Sequence, residues 1–313
     1  MQQVTPAAFV LLGPTASGKT AASLYLAARY PVEIISMDSA LVYRGMDIGS
    51  AKPTPEERAL CPHHLLDVRD IGETYSAADF AGDAIALVEQ IRARGRIPLI
   101  VGGTMLYYKA LAEGLNEMPS TDVAVRNRVL AEAEALGWPA MHAKLSQIDP
   151  ATAERLAPND SQRISRALEV FEMTGRTLTS FHREQVKAPL LSLSVMGLML
   201  ADRALLHARI AERFSAMLKA GFLDEVRALM ARADFDRASP AMRAVGYRQA
   251  IEHLLGERSF SDFVNAGIAA TRQLAKRQMT WMRSMPGLEI LDPTNANAFA
   301  MLQRAFERML AGH

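Results

Sequence analysis

The 313-residue sequence holds a single cysteine, Cys61. No internal disulfide framework is therefore possible, and a reducing compartment is expected. Net charge is almost absent. With 35 Lys+Arg against 34 Asp+Glu, overall charge argues neither for nor against a nucleic-acid partner, and the local distribution has to decide. Long apolar runs are missing as well: the best stretch, Leu190 to Ala201, is far too short to span a bilayer. The opening Met-Gln-Gln-Val-Thr-Pro has neither the basic start nor the small-residue cleavage site of a secretory signal. A soluble, cytoplasmic protein without a membrane partner is expected. Nothing patterns as a coiled coil, a repeat or a low-complexity tract, so a monomer is the default.

What is present is more telling. The apolar run Phe9-Val10-Leu11-Leu12 leads into Gly13-Pro14-Thr15-Ala16-Ser17-Gly18-Lys19-Thr20, which leads into a helical run to Tyr30. This is G-x-x-x-x-G-K-T in the strand-loop-helix setting of a phosphate loop. Glycines let the backbone curl so that successive N–H groups face a polyphosphate. The helix dipole adds partial positive charge, Lys19 adds a full one, and Thr20 can offer its hydroxyl to magnesium. A di- or triphosphate is the expected ligand.

Short apolar runs at Phe9–Leu12, Glu33–Met37, His64–Val68 and Ile97–Val101 alternate with helical periodicity over Thr20–Tyr30 and Ala77–Arg94. Such alternation predicts an α/β fold, a P-loop NTPase-like parallel sheet flanked by helices. From about Thr121 to about Gln185 only helical patterns occur, broken by prolines. β patterning returns at Leu193–Leu200, helices follow over Arg203–Lys219, Leu223–Ala233, Tyr247–Leu255 and Ser261–Arg283, and Leu288–Leu291 reads as an edge strand before a last helix, Asn295–Leu310. The simplest architecture is a P-loop catalytic core, residues 1–114 and 191–313, with an inserted all-helical domain at 115–190.

One further absence narrows the chemistry. The run Pro98–Val101 ends in Gly102-Gly103-Thr104 rather than in a Walker-B acid, which weakens a hydrolase reading. The second strand does end in a carboxylate, Asp38, on the ligand side of a parallel sheet. It suits a magnesium ligand or a proton acceptor. The Gly-rich segment Tyr43–Pro53 reads as a binding loop, with Arg44 and Lys52 open either to a phosphate or to plain solvation. His63 and His64 are adjacent and lack metal-ligand spacing, so no zinc site is assigned. Arg203 and Arg209 open the helix after Leu200 and are candidates to clamp a diphosphate. Basic clusters at Gln162–Arg166, Arg243–Arg248 and Arg272–Arg283 carry Tyr247 and Trp281 among them. A phosphate backbone with unpaired bases to stack would suit them.

Taken together, Gly13–Thr20, Asp38–Gly49, Ala51-Lys52-Pro53, His63-His64-Leu65, Val101–Thr104, Arg163-Ile164-x-Arg166 and Val245–Arg248 resemble the bacterial tRNA dimethylallyltransferase (IPP transferase) family. The resemblance runs from about Phe9 to about Arg283; Ser50 stands where the family commonly has Thr, and the last thirty residues carry little of it. It implies transfer of a dimethylallyl group from dimethylallyl diphosphate, with Mg2+, to N6 of the adenosine 3′-adjacent to the anticodon. Catalytic positions would be Asp38, Thr104, Lys19, Arg203 and Arg209, with Gly13–Thr20 on the diphosphate and Thr20 on the metal. The tRNA anticodon stem-loop would meet Asp38, Ser39, Ala40, Leu41, Thr104, Arg126, Gln162, Arg163, Ile164, Ser165 and Arg166. It would also meet Arg243, Ala244, Val245, Gly246, Tyr247, Arg248, Thr271, Arg272, Gln273, Lys276, Arg277 and Gln278. The residues alone leave open an ATP-binding small-molecule kinase, which would use the same loop, sheet and Asp38, or a nucleotide-dependent switch.

Overall fold

The computed structural model describes residues 7–114, 118–119, 122–183 and 191–312. The opening Met-Gln-Gln-Val-Thr-Pro and residues 184–190, just before the domain boundary expected at 191, lie outside them. In chain order the elements are β1 (Ala8–Leu12), α1 (Lys19–Ala27), β2 (Val32–Met37), α2 (Pro55–Leu60), β3 (His63–His64), α3 (Ala77–Ala93), β4 (Ile97–Gly102) and α4 (Met105–Glu113). Helices α5 (Val123–Leu136), α6 (Trp138–Ile148), α7 (Pro150–Glu154), α8 (Ser161–Thr174) and α9 (Leu178–Arg183) come next. The chain then runs through β5 (Leu193–Leu198), α10 (Arg203–Lys219), α11 (Phe222–Met230), α12 (Tyr247–Leu254), α13 (Phe260–Arg283), β6 (Glu289–Leu291) and α14 (Ala298–Leu310).

The six strands form one parallel sheet in the order β3-β2-β4-β1-β5-β6. Every residue of β1 and of β2 is buried, as a parallel sheet covered on both faces demands. Phe9, Leu11, Ile34, Leu99 and Met196 pack with Ala22 and Leu26 of α1 and with Leu302 and Phe306 of α14. Phe9 meets Phe306 edge to face at 5.2 Å. Helix α3 packs on β2 and β4. The α/β sheet flanked by helices is the fold expected from the alternating pattern. The chain divides into two compact units, Met1–Ala112 with Pro189–His313, and Glu113–Ala188. Helices of the second unit close on their own core, which includes Val129, Met141, Leu145, Ile164 and Leu168.

One strand is shorter than the sequence suggests. The expected run His64–Val68 reduces to His63–His64, because Leu65 and Asp67 turn the chain with φ of 61° and 57°. The turn delivers Asp67 Oδ1 to Lys52 Nζ at 2.5 Å, and the same ammonium donates to Asp47 Oδ1 (2.6 Å) and Tyr43 O (2.8 Å). Lys52 is therefore a buried strut of the Tyr43–Pro53 loop, and Arg44 pairs with Asp70 at 3.0 Å. Neither matches the phosphate-facing option open in the sequence.

The loop is held from the other side by Glu225. Its Oε2 accepts from the N–H groups of Asp47 (2.9 Å) and Ile48 (2.6 Å), while Oε1 accepts from Gly49 N–H (3.1 Å) and Tyr247 O–H (2.6 Å). Gly49 has to be glycine: a Cβ there would lie 2.1 Å from the Phe222 ring and 2.7 Å from Tyr247. Burial and the Glu225 charge both push the Tyr247 phenol well above its ordinary pKa, so it stays a donor. Glu225→Ala orphans all four donors and is expected to cost roughly 3 kcal/mol in urea unfolding, whereas Tyr247→Phe, which loses one, costs about 1 kcal/mol. Equal losses in the two variants would show that the carboxylate is not what holds the loop.

Candidate active site

Because the strands are parallel, the turns after β1, β2 and β4 emerge at the same sheet edge. They meet around a cavity of about 770 Å³ lined by Thr15–Thr20, Asp38–Leu41 and Gly102–Met105, with further walls from α10 and α13. The phosphate loop keeps its shape through Ala16 and Gly18, at φ of 62° and 90°. Gly13 sits where a Cβ would be 2.5 Å from Ser17 Oγ and 2.8 Å from Leu198 O. Gly13 and Pro14 contribute from behind the cavity wall: their carbonyls accept from Lys19 Nζ at 2.7 and 2.8 Å.

Electrostatics at the centre are lopsided. Burial pushes the Lys19 ammonium down to about 8; Asp38 opposes the shift and Arg213 adds to it. The Arg213 guanidinium is likewise held below its ordinary value by burial, with Asp38 as the compensating charge. Arg209 and Arg213 both line the cavity, one helical turn apart on α10. Arg203 does not: it is exposed at the first turn of the helix, beside the cap that Asp202 makes on Ala204 N–H (2.7 Å). Arg213 is the cation that the sequence reading missed, although its spacing four residues after Arg209 was the available signal.

Asp38 Oδ1 accepts from Ala40 N–H at 2.9 Å, which orients the carboxylate at the cavity wall. Thr104 Oγ1 accepts from Ser39 N–H at 3.1 Å, so the turns after β2 and β4 are tied together. The paired glycines explain how they come so close. At Gly102 a Cβ would lie 2.0 Å from Met37 O, and at Gly103 one would lie 2.5 Å from Gln278 Nε2 and 2.7 Å from Gly13 O. Gln278 itself accepts from Thr15 N–H and donates to Gly103 O, each at 2.9 Å.

Two buried hydroxyls on the cavity, Ser17 Oγ and Ser36 Oγ, have no hydrogen-bond partner among the described residues. Buried polar atoms of this kind are ligand or water sites more often than defects. His63 also lines the wall, its Nδ1 donating to Cys61 O at 2.9 Å and its imidazole kept towards neutral chiefly by burial. Ile210, Phe214, Met217, Phe222 and Leu274 supply an apolar wall next to these polar groups. Among the described residues, no three His, Cys, Asp or Glu side chains group together to hold a metal ion. No described helix is long and apolar enough to cross a membrane.

The basic clusters divide. Arg243, Ala244, Val245, Gly246, Thr271, Arg277, Gln278 and Trp281 line the cavity, whereas Arg248, Arg272, Gln273 and Lys276 are outside its lining. Tyr247 also borders it, but its ring is buried edge-on against Phe222 at 5.2 Å, whereas Trp281 is exposed. In the second unit Gln162 and Arg163 are exposed, with Arg163 paired to Asp160 at 3.0 Å. Ile164 is core, and Ser165 Oγ donates to Glu169 Oε1 at 2.6 Å. Both are structural where the resemblance suggested contact. Arg166 donates to Pro119 O at 2.6 Å, and Arg126 is half-buried near it.

Comparison with known proteins settles the family. The family model described as IPP transferase matches residues 41–285. The chain belongs to the IPP transferase family. It is 54% identical to the tRNA dimethylallyltransferase of Paraburkholderia phymatum, over 100% of both chains. It is 57% identical to that of an Acidovorax species over 97% of each. Among solved structures it is similar to the tRNA isopentenylpyrophosphate transferase of Bacillus halodurans, with a TM-score of 0.70 at 34% identity over 97% of each chain. A eukaryotic dimethylallyltransferase captured acting on tRNA superposes with a TM-score of 0.80 at 26% identity, covering 98% of this chain and 80% of that one.

The placement of the arginines is open to a direct check. Arg213→Met is expected to weaken inorganic pyrophosphate binding at least about tenfold by calorimetry at neutral pH, because a desolvated charge contact is lost. Arg203→Met should stay within about twofold, as expected for an exposed charge. Equal losses would return Arg203 to the site.

Proposed function

We propose that the protein transfers a dimethylallyl group from dimethylallyl diphosphate to N6 of the adenosine 3′-adjacent to the anticodon of tRNA. One observation carries this reading. A single cavity joins a phosphate loop and two arginines of α10 to Thr104 and to Asp38, the one carboxylate that lines it among the described residues, with an apolar wall and no Walker-B acid. A prenyl chain needs an apolar wall, and its transfer needs no acid to hold a hydrolytic water.

The chemistry follows from where charge develops. As the C1–O bond of the allylic diphosphate breaks, its electron pair goes to the leaving oxygen and positive charge spreads over the allyl carbons. Loop N–H groups, the α1 N-terminus, Lys19, Arg209 and Arg213 stabilise the departing diphosphate, and such preorganised stabilisation is usually the largest catalytic term. Ile210, Phe214 and Met217 shield the prenyl group from water. Adenine N6 is a weak nucleophile because its lone pair is delocalised into the ring. Asp38 accepts an N6 hydrogen, orients the lone pair on C1, and takes the proton as the C–N bond forms. Thr104, held by Ser39, contacts the diphosphate oxygen beside the reacting carbon.

Magnesium belongs to the proposal as well. It keeps most of its waters and binds substrate phosphate oxygens, so it needs few protein ligands. Thr20 would hold it, with the unpartnered Ser36 hydroxyl on the same cavity, and the ion would neutralise leaving-group charge. Stacked in an anticodon loop, the target base cannot reach Asp38 and has to be extruded. Ser39–Leu41, Arg243–Gly246, Thr271, Arg277 and Trp281 border the space it would enter, and Arg126, Gln162, Arg163 and Arg166 of the second unit are proposed to meet the same RNA. The reaction would take place in the cytoplasm, where tRNA is modified.

Asp38→Ala is expected to slow single-turnover prenylation at saturating tRNA by more than tenfold, about 1.4 kcal/mol. A rate within that limit would remove Asp38 as the base. Lys19 makes a second, pH-dependent test. Its lowered pKa means that the cradle loses a charge as pH rises through about 8. The Kd for dimethylallyl diphosphate should be level at neutral pH and weaken above about pH 8 by up to tenfold per unit, with Lys19→Met lacking the inflection. An inflection near the ordinary lysine value of about 10.4 would contradict the assignment.

A further inference from the structure

Gln278 lies within the segment whose basic residues point to RNA, yet its amide is committed elsewhere. Oε1 accepts from Thr15 N–H, 263 residues away in sequence, and Nε2 donates to Gly103 O, 175 residues away, each at 2.9 Å. Thr15 belongs to the phosphate loop and Gly103 precedes Thr104, so this side chain joins the leaving-group wall to the nucleophile wall. The space for it is specific. A Cβ at Gly103 would lie 2.5 Å from Nε2, and the same point is only 2.7 Å from Gly13 O. The bridge requires one donor and one acceptor at the end of a five-atom side chain. Glutamate lacks the donor, lysine lacks the acceptor, and asparagine is a methylene short.

We propose that Gln278 is a positioning residue of the transfer reaction, locking the phosphate loop to the Gly102–Thr104 turn so that the diphosphate and the Asp38–Thr104 pair stay in register. The inference rests on the prenyl-transfer reading and adds to it a residue that touches no reacting atom. The need for such a tether is general. Catalytic groups have to hold their geometry to within about 0.5 Å, and loops achieve this only when outside contacts fix them. The turn after β2 is already tied to the turn after β4 through Thr104 and Ser39 at 3.1 Å. Gln278 extends that link to the phosphate loop through side-chain hydrogen bonds, alongside the backbone bond from Gly13 N–H to Gly102 O at 3.2 Å.

The test separates positioning from RNA contact. Gln278→Met keeps the length and loses both hydrogen bonds; Gln278→Glu keeps the acceptor alone and sets a carboxylate against Gly103 O. Each is assayed with an anticodon stem-loop and dimethylallyl diphosphate, and amide exchange at Thr15 is followed by NMR. With both substrates saturating, the single-turnover rate should fall at least tenfold, stem-loop Kd should stay within twofold, and Thr15 N–H should exchange at least tenfold faster. Should the methionine variant fail to fold, the glutamate variant is judged by the same three readouts. Weakened stem-loop binding with an unchanged saturated rate would make Gln278 an RNA contact and overturn the proposal, as would unaltered Thr15 exchange. Failure of the wild type to prenylate the stem-loop would instead reject the transfer reading, while Thr15 exchange would still decide whether the tether exists.

Discussion

The site depends on how closely the tip of β4 approaches its neighbours. Backbone at Gly102 and Gly103 presses against Met37 O and Gly13 O so tightly that a methyl group at either position would collide with main chain. Backbone atoms cannot rotate away as a side chain can, so this contact sets the distance between the turn that carries Thr104, the strand end that carries Asp38, and the phosphate loop. Where a phosphate-loop hydrolase would place an acid to hold metal and water, this chain has two residues with no side chain at all. The space is given over to bringing the phosphate loop and the turns after β2 and β4 together.

Charge is distributed to match. Within the cavity Asp38 faces Lys19 and Arg213, and the two cations share one carboxylate as compensation. Burying positive groups without full pairing is costly and pushes their protons off. A dianionic or trianionic ligand reverses that cost, and on the proposed reading the same arrangement would favour a diphosphate as its charge grows during bond breaking. The apolar side chains interleaved with the arginines on α10 follow from helix geometry: residues 209, 210, 213, 214 and 217 fall on one broad face. A charged head and an aliphatic tail can therefore be met by one element.

Much of this was legible in the residues. The phosphate loop carries its own context of strand and helix, and the alternating apolar runs gave the parallel sheet, because burial on both faces forces continuous apolar strands. Asp38 was identifiable because a strand end in a parallel sheet has a known side. Three features were not. Arg203 was weighed as the partner of Arg209, but it lies about 9 Å further back along the helix axis, beyond the cavity, while Arg213 lies a turn forward. Lys52 was open either to a phosphate or to plain solvation and proved to be a buried strut, since its partners Asp47 and Asp67 reach it only after the chain turns through positive φ. Tyr247 looked available for stacking and is spent on Phe222 and Glu225.

The sequence by itself determined the phosphate-loop motif and the class of fold. Both are written in local spacing: glycines and a lysine at fixed offsets, and apolar periods that suit strand or helix. The tertiary structure alone decided which cations serve the cavity, which loop residues are struts, and that Gln278 spans two walls. Those outcomes depend on helix phase and on contacts between segments as much as 263 residues apart, and no local pattern encodes either.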